Sequence, residues 1–508
     1  MRIRMVVAVA AAAWLLAGCT GAPTAVAPAP AEAPQPEITA PDDPLAAFYD
    51  QELDWRNCGD AECTRVVVPI DYQNAAAGST ELALTKVPAR GESLGALFVN
   101  PGGPGGSAFD YARASDYIVS PAIRNSFDIV GVDPRGVAKS EPIRCLKDAE
   151  IDRLFAADGT PDDPQEVQQL IADSAFFGQA CEERAGDLWK HMGTINSARD
   201  LDIVRAALGE SVLNYLGKSY GSAIGTAYVE LFPDRVGRMV FDGVLPIDIT
   251  QEQATYDQLV AFEKAVQHFS ADCAQARDCP FAGSGDDVLA QLQIFLQDLD
   301  ARPLPTKDGR ELTESLGASA VISHLYFPAT DYPKLRRALG QAVTQGDGTD
   351  LLALVDERVN RSSDGRYLSN ATDAFYAVTC IDMPYNGTLE DVQQLAEQWD
   401  QEAPTFGRAF AWGMLVCADW PAAATESITA ISAGDSNSNP ILIVSTAGDA
   451  ATPHSWGVEL ARSMDQGYLL TWDAVNHTAY REGSSCIDRA VDAYLLAGEL
   501  PPDGLVCS

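Results

Sequence analysis

Leu213-Asn214-Tyr215-Leu216-Gly217-Lys218-Ser219-Tyr220-Gly221-Ser222-Ala223-Ile224-Gly225 is the stretch on which the rest of the chain is read. An apolar segment leads into a G-x-S-x-G pentapeptide. A small-residue run, continuing as Thr226-Ala227-Tyr228-Val229-Glu230-Leu231-Phe232, leads out of it. That order predicts strand, tight turn and helix, the setting that presents a serine as a nucleophile at the top of a sheet. Gly217 and Gly221 flank Ser219 because backbones meeting at so sharp a turn leave no room for a Cβ. Gly221, Ala223, Gly225 and Ala227 let the helix lie close to the sheet. Its N-terminus offers free N–H groups and a positive dipole end to developing negative charge. The pentapeptide is short, so its flanks carry the reading.

Thr64–Asp71 and Glu81–Ala89 read as an opening antiparallel pair rich in β-branched residues. Leu94–Val99 and Phe127–Asp133 read as buried strands, closed by Asn100-Pro101-Gly102-Gly103-Pro104-Gly105-Gly106-Ser107 and by Pro134-Arg135-Gly136. A helix around Ala198–Leu208 precedes the central stretch, and Gly237–Gly243 follows it as another short strand. Strands alternating with helices predict a mostly parallel sheet covered on both faces. From about 250 to 425 long helical stretches take over, such as Gln251–Ala271 and Asp286–Leu299, and they read as an inserted, largely helical lid. Pro440–Ser445 and Gly467–Trp472 then complete the sheet. In such sheets ligands sit beyond the carboxyl ends of the strands, where the glycine loop and Ser219 both fall.

A serine hydroxyl needs a base, normally a histidine oriented by a carboxylate. Five histidines are present, so elimination is informative. His191 precedes the serine, His268 and His324 lie in helical stretches of the insertion, and His454 sits in the first turn of a helix. His477 stands just after the last predicted strand, in the loop from which an imidazole can reach Ser219. The acid is expected after the penultimate strand, where Ser445-Thr446-Ala447-Gly448-Asp449 supplies Asp449. Asp242, at the end of the strand after the central helix, is its rival. Thr452 and Pro453 are expected as N-cap and first residue of the next helix, with Thr452 shaping the acid loop. The glycine loop has no Lys-Ser/Thr and no phosphate-loop spacing. It is expected to donate a backbone N–H, that of Gly103, alongside that of Tyr220, to an oxyanion.

The chain has 508 residues, 46% hydrophobic and 21% charged, enough for one large α/β domain with an insertion. A formal charge of −37 argues against nucleic acid as a partner and against an anionic membrane as a docking surface for the body. Arg2 and Arg4 precede an apolar run from Met5 to Leu16, too short for a permanent span and of signal-peptide form. Leu16-Ala17-Gly18-Cys19 resembles a bacterial lipobox. Residues 1–18 are then a signal peptide, and Cys19 is lipidated as the first mature residue. An ordinary signal peptide with a nearby cleavage site is the alternative. Residues 19–44 are Ala/Pro-rich and read as a disordered tether. Residues 45–249 and 426–508 are the two parts of the core around the 250–425 insertion.

Eleven cysteines leave ten when Cys19 is set aside, an even number that argues for disulfides in an exported chain. Pairing of sequence neighbours gives five bridges, though other connectivities remain open. No CxxC and no histidine cluster suggests a metal, and no cofactor is called for.

The motifs NPGGPGGS, GVDPRG, GKSYGS, FDGV, AGDAATP and NHT, with the Cys486…Cys507 terminus, together resemble the secreted actinobacterial tripeptidyl aminopeptidases. These are α/β-hydrolase serine exopeptidases related to proline iminopeptidases. The resemblance covers nearly the whole mature chain. It implies an α/β-hydrolase fold with a mostly parallel eight-stranded sheet and a helical lid. It further implies a Ser219, Asp449, His477 triad and removal of short peptides from free N-termini. Acidic residues of the insertion, Asp382 beside Cys380 among them, are candidates for holding the substrate's α-ammonium. An exported esterase or lipase with the same triad is the competing expectation, and a catalytically silent surface lipoprotein is a third.

Overall fold

The computed structural model describes residues 44–431 and 439–508; the signal segment, Cys19 and the tether to residue 43 lie outside the described residues. Ten strands form the main sheet: β1 (Arg56–Asn57), β2 (Glu62–Pro69), β3 (Ser79–Val87), β4 (Ala96–Asn100), β5 (Asp128–Val132), β6 (Leu213–Lys218), β7 (Val236–Asp242), β8 (Ile441–Thr446), β9 (Gly467–Trp472) and β10 (Leu505–Cys507). Their order across the sheet is β1-β2-β3-β5-β4-β6-β7-β8-β9-β10. The pairs β1/β2, β2/β3 and β3/β5 are antiparallel and all others parallel. The expected eight strands are thus ten among the described residues. The two extra ones, β1 and β10, are edge strands of two and three residues, too short to show a sequence period. Disulfides Cys58–Cys63 and Cys486–Cys507 tie down those two edges.

The central strands β4, β6 and β8 are buried along nearly their whole length because helices cover both faces. Crossovers between parallel strands are helical, and the order reverses next to β6. The carboxyl ends of β4 and β6 therefore open a crevice at the centre of the sheet.

Between β7 and β8 the described chain from Gln251 to Cys417 is built mainly of helices joined by loops, with a small hairpin of Leu304–Pro305 with Glu311–Leu312 and an isolated bridge of Arg361 with Tyr367. This stretch shares one continuous apolar cluster with one face of the sheet. The helix Pro164–Arg184, which belongs to the first part of the chain, packs with it: Phe177 meets Tyr376 and Trp420 edge to face. Cys145–Cys181, Cys273–Cys279 and Cys380–Cys417 complete the five neighbour pairs. No helix among the described residues is long and apolar enough to cross a membrane.

The motif after β5 anchors the glycine loop. Asp133, fully buried, accepts from Ser107 Oγ at 2.8 Å and from the Phe109 amide at 2.9 Å, fixing the helix that follows the loop. Arg135, also fully buried, pairs with Asp200 and donates to the carbonyls of Pro69 and Ile70. A guanidinium fork can satisfy that many acceptors at once, which makes its burial tolerable.

Candidate active site

Ser219 caps β6 with φ 55° and ψ −129°, a conformation that costs a non-glycine residue roughly 1–3 kcal/mol and persists only when its surroundings enforce it. Here they do. The Ser219 amide donates to the Asp242 carbonyl at 2.9 Å, and Ser222 Oγ donates to the Ser219 carbonyl at 2.6 Å. A Cβ on Gly217 would stand 2.5 Å from the Gly221 carbonyl oxygen, and one on Gly221 would stand 2.8 Å from that of Asn100. Close approach is therefore the reason for both glycines. The same five-residue pattern recurs at Gly91-Glu92-Ser93-Leu94-Gly95. That copy lies in the exposed loop before β4, where Ser93 Oγ exchanges hydrogen bonds with Gly95, and β4 rather than a helix follows it. The flanks, rather than the pentapeptide, distinguish the two.

The glycine loop lies directly against the turn. At Gly102, with φ 89°, a Cβ would sit 2.5 Å from the Lys218 carbonyl oxygen and 2.9 Å from both the Tyr220 nitrogen and Ser219 Cβ. Asn100 Oδ1 accepts from the Gly102 amide at 2.8 Å and holds the loop. The amides of Gly103 and Tyr220 have no hydrogen-bond acceptor among the described residues. Two such free donors beside a serine suit an oxygen that gains negative charge.

His477, 8% exposed, follows β9 and stands 3.0 Å through Nδ1 from both Oδ1 and Oδ2 of Asp449. Asp449 ends its own tight turn after β8. The amides of Ala451 and Thr452 donate to Oδ1, each at 2.9 Å; Thr452 Oγ1 at 2.9 Å and the Thr478 amide at 3.0 Å donate to Oδ2. Burial alone would raise the Asp449 pKa, but the imidazole and these amides outweigh it and hold the carboxyl below its ordinary range. An ionised Asp449 keeps the proton on Nδ1 and leaves Nε2 as a lone-pair acceptor. Thr452 is not an N-cap: Pro453 occupies that position, and the Thr452 hydroxyl serves the carboxylate instead.

Asp242, the rival acid, is fully buried and does not touch the imidazole. Its oxygens accept from the amides of Ala479 at 2.8 Å and Tyr480 at 2.9 Å, so it holds the loop that carries His477. The other histidines are engaged elsewhere: His268 with Tyr332, His324 with the Ala320 carbonyl and His454 with Thr471, while the His191 carbonyl accepts from Arg135.

Asp382 lies on a cavity of about 60 Å3 beside the turn, lined also by Pro104, Thr194, Tyr220, Leu245 and Val378. The Thr194 amide donates to it at 2.9 Å and the Thr194 hydroxyl at 2.6 Å; the same hydroxyl meets Tyr220 OH at 2.8 Å. Burial pushes the Asp382 carboxyl up to about 6, with the Thr194 donors acting against it. No cation pairs with it among the described residues, whereas the neighbouring Glu426 is taken by Arg199 at 2.6 Å.

Three contributors were not singled out from the sequence. The Tyr326 carbonyl, from the helical stretch, accepts from the His477 amide at 2.8 Å, and its ring stands edge-on to the imidazole at 5.2 Å. Thr194 supports Asp382, and Lys218 reaches the loop after His477. Only Lys218 left a signal, as a cation at the end of a largely apolar strand.

Residues 95–285 match the α/β hydrolase fold family and residues 403–507 the TAP-like protein family. The serine protease Hip1 of Mycobacterium tuberculosis is 36% identical over 486 residues, spanning 90% of this chain and 91% of that protein. Carboxylesterase B of the same organism is 36% identical over 502 residues, 97% of this chain and 94% of that one. The tripeptidyl aminopeptidase of Streptomyces lividans is 33% identical over 474 residues, 90% of this chain and 86% of that enzyme. Together with the fold and the turn around Ser219, these likenesses identify the chain as an α/β-hydrolase enzyme of the tripeptidyl aminopeptidase family.

Proposed function

We propose that the protein is an exported serine aminopeptidase that releases short peptides, tripeptides foremost, from free N-termini. Ser219 Oγ attacks the scissile carbonyl carbon while His477 Nε2 takes its proton. The oxyanion forms between the amides of Gly103 and Tyr220. Collapse breaks the C–N bond, and His477 returns the proton to the leaving amine. Water, deprotonated by the same imidazole, then hydrolyses the acyl-Ser219 and regenerates the hydroxyl. Asp449 holds the imidazole in its tautomer and stabilises the imidazolium that forms.

The observation that carries the aminopeptidase reading is Asp382, a partly buried carboxylate with no cation partner among the described residues, on the cavity beside Tyr220. A buried acid of that kind is complementary to a single ammonium group, and a substrate's free N-terminus supplies one. The helical stretch roofs the crevice as a lid and restricts it to a chain end.

Carboxylesterase activity is the second reading, favoured by the apolar cavity walls and by the relative that bears that name. Turnover of a free peptide against its N-acetylated form separates the two: the peptidase loses turnover on acetylation, whereas an esterase has no preference. Export and lipidation of Cys19 rest on the sequence of residues 1–19. A mature N-terminus mapped far from residue 19 would overturn the anchor.

A further inference from the structure

Lys218 is the residue directly before Ser219, and its side chain is only 9% exposed. Its Nζ donates to the Tyr480 carbonyl at 2.7 Å, to Glu482 Oε1 at 3.1 Å and to Thr478 Oγ1 at 3.3 Å. Those three acceptors use all three protons of an ammonium. Asp242 Oδ2 stands 3.6 Å away, and Asp242 pairs with Lys218 in the register of β6 and β7. The carboxylate in turn binds the amides of Ala479 and Tyr480. One strand end therefore grips the loop's acceptors and the next strand end its donors.

The loop needs holding. Thr478 and Arg481 have φ of 64° and 68°, left-handed values that non-glycine residues adopt only under constraint. Thr478 is also the residue whose amide binds Asp449, one position after His477. Stability alone does not explain a lysine here, because an apolar residue of similar volume commonly replaces a buried ion pair at no cost. Burial works against the ammonium charge, but the carboxylates of Asp242 and Glu482 around it outweigh that effect and keep the lysine protonated.

We propose that Lys218, acting with Asp242, is a positioning residue that fixes the His477 loop relative to Ser219. This inference rests on the reading of Ser219 as nucleophile and His477 as base. Lys218 touches neither substrate nor reacting atoms; it acts through the loop.

The test compares Lys218→Met, Lys218→Gln and the double variant Lys218→Met/Asp242→Asn with wild type and with Ser219→Ala. Readouts are Tm, and kcat and KM on a free tripeptide substrate. Lys218→Met leaves Asp242 and Glu482 without their cation, so its Tm falls; the double variant, which also removes the buried Asp242 charge and leaves only the part-exposed Glu482, recovers Tm. Its kcat is expected to stay about 100-fold below wild type, the scale of loss that follows a displaced catalytic group. KM is expected to stay within about threefold, because binding is untouched. Lys218→Gln, which can still donate to the Tyr480 carbonyl, is expected to recover part of kcat. A double variant with wild-type Tm and wild-type kcat would overturn the proposal, as would a rise in KM with kcat unchanged. Activity in folded Ser219→Ala would instead defeat the underlying reading, so the two failures are distinguishable.

Discussion

His477 Nδ1 stands 3.0 Å from both carboxylate oxygens of Asp449, while Asp242 binds the backbone amides of the loop that follows the histidine and not the imidazole. The two acids therefore differ in what their loss should do. Asp449→Asn leaves the geometry near wild type but presents the wrong hydrogen-bond partner to Nδ1, and kcat is expected to fall about 10,000-fold. Asp242→Asn keeps one acceptor for the loop amides and should cost far less. Steady-state kinetics on the two folded variants decides this. A larger loss in Asp242→Asn would move the acid to the strand after the central helix.

Gly102 offers a second test, on the oxyanion side. A Cβ there would collide with the Lys218 carbonyl and the Tyr220 nitrogen, at a φ that L-residues rarely adopt. Gly102→Ala should displace the loop and the Gly103 amide with it. The expected cost is about 100- to 1,000-fold in kcat, the scale of one lost oxyanion donor, with KM changed much less. Unchanged kcat in the folded variant would show that the loop has no part in catalysis.

Asp382 predicts a pH dependence with a definite sign. Its carboxyl is raised to about 6 by burial, so it is neutral below that value and charged above it. A substrate α-amino group stays protonated up to about 8, so both partners are charged only between about 6 and about 8. KM for free peptides should rise as pH falls through about 6, and Asp382→Asn should raise it and flatten that dependence. N-acetylated or ester substrates should show neither effect. A KM for free peptides that does not move between pH 5 and 7 would remove Asp382 from the site.

Asp373 bears on stability rather than binding. It is fully buried at the start of the helix Ala371–Asp382, and Oδ1 accepts from the Leu146 amide at 3.3 Å. Burial raises this carboxyl to about 6. A carboxyl raised on folding contributes stability that is fully present below its unfolded value, near 4, and lost by the time pH passes its folded value. The stability of wild type relative to Asp373→Asn should therefore decline between pH 4 and 6 by about 3 kcal/mol and stay level above that. Melting curves across that range check it, and a gap independent of pH would mean the acid is not buried in its charged form.

Much of this was legible in the sequence, for reasons that can be assigned. Ser219 stood out because an elbow imposes small residues on both sides. His477 and Asp449 stood out because loops at strand ends carry few candidates. Neighbouring cysteines paired as spacing suggested. The edge strands β1 and β10 were not legible, since two or three residues show no alternation. Tyr326 was hidden because it acts through a backbone carbonyl, which any side chain would supply equally. Thr194 was hidden for a different reason: it meets Asp382 only through a fold that brings residues 188 positions apart into contact.

The most direct test of the central claim is the turnover of a tripeptidyl substrate with a free N-terminus, compared with its N-acetylated form, by wild type and Ser219→Ala. Rapid release from the free substrate is expected, with a sharp fall on acetylation and loss of several orders of magnitude in folded Ser219→Ala. Equal turnover of the two substrates would contradict the exopeptidase reading, and more than about a tenth of wild-type activity in Ser219→Ala would contradict Ser219 as the nucleophile.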